Sequence, residues 1–195
     1  FVGVSSVLND KVNHELESLC LLLWRCTPQF ARTDYATLGI QCAYKDPALL
    51  GIDRWLNILA VAGRQPVCVV SCGTALTIDV VNDNQHLGGY IFPGMNLQLS
   101  SLLHGTQRVR PHDITSTSLA FGKSTSEAVH HGVLLTCVAA IERVVFALKQ
   151  VTDNNVRVVL TGGDAEKITP HLQIAHTLKP ELLLFGLQRY FGQLT

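Results

Sequence analysis

The sequence predicts an α/β protein built on a mixed β-sheet. Three observations carry this. Three strand-like segments, Val67–Ser71, Leu76–Val81 and His86–Phe92, follow one another with only short turns between them. Beyond them, helical and strand patterns alternate to the end of the chain. With 195 residues and 47% hydrophobic content, the chain has material for one large domain or two small lobes around a sizeable core.

Taken in order, Phe1–Val7 reads as an apolar strand, and Asn9-Asp10 offers a helix cap. Leu16, Leu19, Cys20 and Leu23 recur at helical spacing within Val12–Trp24, and Pro28 closes that helix. Phe30–Tyr35 suits a short strand, and Leu38–Tyr44 an extended segment or loop. Asp46-Pro47 starts a helical turn with Pro at the first position, Gly51 interrupts it, and Trp55–Ala62 is an apolar helix. Gly63-Arg64-Gln65-Pro66 reads as a linker, which divides the chain into an N-terminal part, 1–64, and a C-terminal lobe, 65–195.

Cys72-Gly73-Thr74-Ala75 turns the first strand of the central unit into the second, and Asn82-Asp83-Asn84 turns the second into the third. Gly88-Gly89 breaks the third, and Pro93-Gly94 ends it. Then come a helix over Met95–Leu103, a polar loop over Gly105–Ser118 and a long helix over Ser126–Lys149. A buried strand, Val156–Leu160, runs into the Gly-rich turn Thr161–Ala165 and a short helix near Glu166–Thr169. Thr177–Pro180 is a short strand and Leu182–Phe191 a closing helix. Three meandering strands followed by alternating helices and strands suggest an RNase-H-like mixed sheet. Two such lobes face each other in the actin-like ATPase and sugar-kinase group.

Composition narrows the function. The net charge is +0, so nothing favours nucleic acid. No apolar run reaches the length of a membrane span, and no charged-then-apolar leader opens the chain, so a cytoplasmic protein is expected. Cys20, Cys26, Cys42, Cys68, Cys72 and Cys137 form no C-x-x-C pair and are expected to be reduced, mostly buried thiols.

Four stretches invite chemistry. Gly73 lets backbone amides approach a phosphate, and the Thr74 hydroxyl adds a donor; an ordinary meander turn fits the same residues. Asp53-Arg54 near a helix start is either a surface ion pair or a general base beside an anchor for an anionic substrate. Thr161-Gly162-Gly163-Asp164 is either a turn with a helix cap or a close approach to a nucleotide. Gly122-Lys123-Ser124-Thr125 is not a P-loop. Thr117 stands where the frame needs glycine, and a polar loop rather than a strand precedes it.

Several motifs occur together in order. Tyr44-x-x-Pro47-x-x-x-Gly51-x-Asp53-Arg54, Cys72-Gly73-Thr74-Ala75 with Thr77 and Asp79, His86-Leu87-Gly88-Gly89-Tyr90-Ile91-x-Pro93-Gly94 and Thr161-Gly162-Gly163-Asp164-Ala165 span most of the chain. In this combination the sequence resembles the type III pantothenate kinases, a family that includes Bvg accessory factor-like proteins. The resemblance implies ATP-dependent phosphorylation of pantothenate, the first step of coenzyme A synthesis. It implies Asp53 as catalytic base and Tyr44, Gly51, Ile52, Arg54 and Thr125 at pantothenate. It implies Gly73, Thr74, Gly88, Gly89, Gly162 and Gly163 at ATP. Magnesium, a monovalent cation (potassium or ammonium) and a homodimer are expected with it.

Two departures accompany the resemblance. The family opens with a strand and a first phosphate loop, whereas this sequence begins at Phe1, so the first lobe is expected to be incomplete. The family also places an aspartate, a cation ligand, where this chain has Ser71. A hydroxyl is a poorer ligand for a hard cation than a carboxylate. Little or no kinase activity is therefore expected of the chain as given. The alternative is an accessory or regulatory protein on the same scaffold.

Overall fold

A computed structural model of the chain describes residues 1–105, 118–152 and 155–192. The elements in order are β1 (Gly3–Val4), α1 (Asp10–Trp24), β2 (Gln29–Phe30), β3 (Ala36–Thr37), β4 (Ile40–Gln41), α2 (Ile52–Val61), β5 (Val67–Cys72), β6 (Ala75–Asn82) and β7 (Gln85–Pro93). They continue with α3 (Met95–Gly105), α4 (Thr125–Thr152), β8 (Arg157–Thr161), α5 (Ala165–Ile168), β9 (Thr177–Leu178) and α6 (Leu182–Phe191). Contacts group them into two units, one of 1–64, 81–88 and the chain from Glu181 on, the other of 65–80 and 89–180.

In the first unit, local chemistry sets the element ends. Asn9 caps α1 by accepting from the Val12 amide at 3.1 Å, and Arg25 ends it in the left-handed region at φ 53°. Asp83 (φ 47°) and Asn84 (φ 62°) form the tight turn into β7, a primed turn whose twist suits a hairpin. Asp46 accepts from the Ala48 amide at 3.1 Å, and Pro47 opens a single 3-10 turn, Pro47–Leu49. β1 and β2 pair in parallel, β3 and β4 antiparallel, and Gln41 of β4 pairs with Gln85 at the start of β7. The centre of this unit is α2, whose Trp55, Leu56, Ile58 and Leu59 are fully buried. α6 packs on it so closely that a Cβ on Gly186 would collide with the Leu56 carbonyl.

In the second unit the sheet order is β7-β6-β5-β8-β9, with β5, β8 and β9 parallel. Cys68, Val70 and Cys72 of β5, Leu76 and Ile78 of β6, and Val158 and Leu160 of β8 project from one face. They meet Leu134, Cys137, Val138, Ile141, Val145 and Leu148 of α4. Residues on the opposite pleat include Ser71, Thr77, Asp79 and Thr161, a polar stripe in which Ser71 and Thr161 are register partners.

The structure adjusts several expectations. The strand expected over Phe1–Val7 is only Gly3–Val4, because its partner β2 is two residues long. That partner ends at Phe30, so Phe30–Tyr35 is not a strand. α2 begins at Ile52 rather than Trp55, which puts Asp53 and Arg54 inside its first turn. α4 runs from Thr125 to Thr152 and, by length and mean hydropathy, is long and apolar enough to cross a membrane. Its apolar face is spent on the core of the second unit. Most of the loop expected over Gly105–Ser118 lies outside the described residues.

Candidate active site

Two groups of residues stand out, one in each unit. In the first unit the turn before α2 sets the geometry. A Cβ on Gly51 would lie 2.6 Å from Asp53 Oδ1, so the carboxylate folds back over the glycine. A side chain at position 51 would displace that carboxylate. Arg54, one residue on, is 5% exposed. Its Nη1 donates to the Tyr44 hydroxyl at 3.0 Å, and the guanidinium lies 5.8 Å from the centre of the Tyr44 ring. Tyr44 stacks on His86 with ring centres 6.2 Å apart and planes 16° off parallel. Trp55 lies 6.5 Å from His86, its ring tilted 57° to it, and anchors its own indole N–H on the Thr37 hydroxyl at 3.2 Å. An arginine so buried is not part of a surface ion pair. It is a fixed cation whose orientation is set by an aromatic stack, with a half-buried carboxylate next to it.

In the second unit three backbone segments converge. A Cβ on Gly94 would collide with the Gly73 carbonyl and come within 2.6 Å of the Thr74 carbonyl. The Gly94 amide donates to that Thr74 carbonyl at 2.9 Å. From the other side Gly162 (φ 95°) presses on the backbone of Cys72, and the Asp164 amide donates to the Cys72 carbonyl at 3.0 Å. The result is a cavity of about 440 Å³ lined by Gly73, Thr74, Asn96, Leu97, Ser100, Gly163 and Asp164. The Asp164 carboxylate is held by Lys167 at 2.7 Å.

This arrangement refines the reading of Gly73. Its own amide donates to the Ala75 carbonyl at 3.0 Å and closes the hairpin. The donors open to a ligand are the amide and hydroxyl of the exposed Thr74, which make no hydrogen bond among the described residues. A Cβ on Gly73 would meet nothing closer than 3.9 Å, so the packing demands glycine at 94 and 162 rather than at 73.

Thr125 opens α4 and lies in a separate groove of about 590 Å³ with Gln98, Ser101 and Leu102 of α3 and Ala128, Gly132 and Thr136 of α4. Gly122 is pinned against the Ala128 backbone, and Glu127 accepts from the Lys123 amide at 2.6 Å. The Gly-Lys-Ser-Thr segment is therefore a helix cap. Gly88 (φ 117°) and Gly89 lie within β7, and neither lines the Gly73–Thr74 cavity. Ile52 is buried at the start of α2. Sequence reasoning marked the Gly163-Asp164 turn but did not single out Asn96, Leu97 or Ser100 as cavity residues. The polar pair Asn96 and Ser100, four apart on the helix entered through Pro93-Gly94, was the available signal.

The six cysteines are free thiols. Burial pushes the Cys68 thiol up to about 12, helped by Asp79. Burial likewise pushes Cys72 up to about 12, with Cys137 and Asp164 adding to the effect. Cys137 is raised chiefly by burial, against the hydrogen bond from Gln98. None of these three is an activated nucleophile.

The fold matches the crystal structure of a Baf family protein from Campylobacter jejuni, with a TM-score of 0.65 at 23% identity over 95% of this chain and 79% of that one. The two chains therefore share an α/β fold. The sequence identifies the family. Residues 2–147 match the family model for type III pantothenate kinase. A type III pantothenate kinase of Acinetobacter baumannii is 40% identical over 194 residues, covering 98% of this chain and 76% of the relative. One from Acinetobacter baylyi is 43% identical over 193 residues, covering 97% and 76%. The chain belongs to the type III pantothenate kinase family, and is a kinase by that membership.

Proposed function

We propose that the chain transfers the γ-phosphoryl group of ATP to the hydroxyl of pantothenate, giving 4′-phosphopantothenate for coenzyme A synthesis. The observation that carries this is the buried Arg54, locked on Tyr44, with the Asp53 carboxylate beside it in the first turn of α2. An acceptor that bears a carboxylate and an alcohol needs a fixed cation and a base, and these residues offer both.

In this reading Arg54 and Tyr44 bind the pantothenate carboxylate and its neighbours, with Gly51 and Ile52 shaping that site and Thr125 adding a contact. Asp53 accepts the hydroxyl proton as the oxygen attacks phosphorus. Thr74 donates to the ATP phosphates, and Gly163 lines the same cavity, on a loop that Gly162 lets press against Cys72. Phosphoryl transfer needs positioning and charge neutralisation more than covalent chemistry from the protein.

Magnesium fits this site as an ion carried by the ATP phosphates. Among the described residues no group of three His, Cys, Asp or Glu side chains is placed to hold a metal. Magnesium in kinases keeps waters and takes one or two carboxylates besides the phosphates, and Asp164 is the carboxylate lining the cavity. The ion supplies charge neutralisation on the transferring group. For a monovalent cation, Ser71 and Thr161 offer two neutral oxygens on one face of the sheet. A homodimer using the exposed Leu135 and Phe146 of α4, and a cytoplasmic location, complete the proposal.

A coupled assay for ADP release with pantothenate, ATP, magnesium and potassium tests it. Little pantothenate-dependent turnover is expected with the neutral Ser71, and Ser71→Asp together with an N-terminal phosphate loop should raise it. The second reading, an accessory protein, is favoured by Ser71 alone. Saturable pantothenate binding with no turnover in either form would decide for it.

A further inference from the structure

We infer that Gln98 is a positioning residue that fixes the Thr74 hairpin for nucleotide binding, an inference that rests on the nucleotide reading of that hairpin. Gln98 lies on α3 and does not line the Gly73–Thr74 cavity; it faces the neighbouring α3–α4 groove. Its Nε2 donates to the Pro93 carbonyl at 2.9 Å and, at 3.6 Å, to Cys137 Sγ. Its backbone amide donates to the Gly94 carbonyl at 3.0 Å. One residue therefore holds both carbonyls of the Pro93-Gly94 corner and ties them to α4.

The corner in turn holds the hairpin. The Gly94 amide donates to the Thr74 carbonyl at 2.9 Å, and the two backbones lie so close that a Cβ on Gly94 would overlap the Gly73 and Thr74 carbonyls. Through that bond and close contact, a shift of the corner is transmitted to Thr74. The far anchor is rigid, since Cys137 is 0% exposed within the core packed on α4. The bond to Pro93 is the stronger of the two, because sulfur is a weak acceptor and 3.6 Å is long. Gln98 thus acts on Thr74 through Pro93-Gly94 and touches no ligand itself. A hydrogen bond that fixes a binding group is worth about fivefold to tenfold in affinity.

The test is Gln98→Met, which keeps the length of the side chain and removes the amide. Michaelis constants for ATP and pantothenate, the melting temperature, and the melting shift produced by ADP are measured beside wild type. The expected result is an ATP KM raised about fivefold to tenfold with a matching loss of the ADP shift. The pantothenate KM and the unliganded melting temperature should stay near wild type. If Gln98→Met yields no folded protein, Gln98→Glu reads the same bond, since it keeps the packing and sets a carboxylate against the Pro93 carbonyl. An unchanged ATP KM and ADP shift would overturn the inference, as would equal losses in both KM values together with the melting temperature. Absence of any ADP shift in wild type would instead sink the nucleotide reading itself.

Discussion

The acceptor-side group around α2 and the phosphate-side group around β5–β6 are built from different materials. Around α2 the geometry is made by side chains. Arg54 is aimed by Tyr44, Tyr44 is stacked on His86, and Trp55 lies beside His86. Around Thr74 the geometry is made by main chain. Gly94 and Gly162 let two distant loops press on the carbonyls of residues 72 to 74. The difference teaches where each group tolerates change. The first should accept substitutions that preserve side-chain shape. The second should reject an added carbon at Gly94 or Gly162, whatever its polarity.

The largest expected effect tests the chemistry of the side-chain group. Asp53→Asn keeps the shape over Gly51 and removes the base, so kcat should fall by about 10²–10⁴-fold with little change in melting temperature. A kcat within threefold of wild type would remove Asp53 from the mechanism. Next comes the main-chain group. Gly94→Ala drives a methyl into the Gly73 and Thr74 carbonyls and should cost on the order of 2–4 kcal/mol of stability, measured by denaturant titration. Near-wild-type stability would mean that the corner is free to shift. Third, Arg54→Lys keeps the charge but loses the planar contact with Tyr44. It should raise the pantothenate KM roughly tenfold while leaving the ATP KM alone.

The smallest effect is in pH dependence. The Cys68 and Cys72 thiols, ordinarily near 9.0, are pushed to about 12 in the folded chain. A raised folded value favours the native state below the unfolded pKa. That contribution is lost as pH climbs from about 9 toward about 12. Stability measured across that window should decline, and Cys68→Ala should make the decline shallower. At pH 8 both thiols should resist alkylation until the protein is unfolded.

Much of this was legible in the sequence because the signals are local. The alternation and turn residues of Val67–Phe92 place β5, β6 and β7 within a residue or two, and Leu182–Phe191 marks α6 at its observed ends. The Asp83-Asn84 turn follows from residues that tolerate positive φ. What was not legible depends on partners far along the chain. Gly94 reads as the end of a strand, and only its contact with the hairpin some twenty residues earlier shows why no other residue fits. Arg54 reads as a surface charge beside Asp53 until Tyr44 and the burial of α2 are seen. Gln98 reads as an ordinary helix residue, because nothing in its neighbourhood announces a bond to Pro93.

The packing of Gly186 against Leu56 has a consequence for how the chain is made. Arg189 donates to the Leu59 carbonyl, a contact spanning 130 positions of sequence. α2, which carries Asp53 and Arg54, is therefore made well before α6, yet it cannot be clasped until α6 has left the ribosome. At about 5–20 residues per second that is a wait of roughly 6–26 seconds. During it the apolar face of α2 lacks its native cover, while strands β5 to β8 are already available to pair. The part of the chain that would hold the acceptor thus waits on a helix made some 130 positions later.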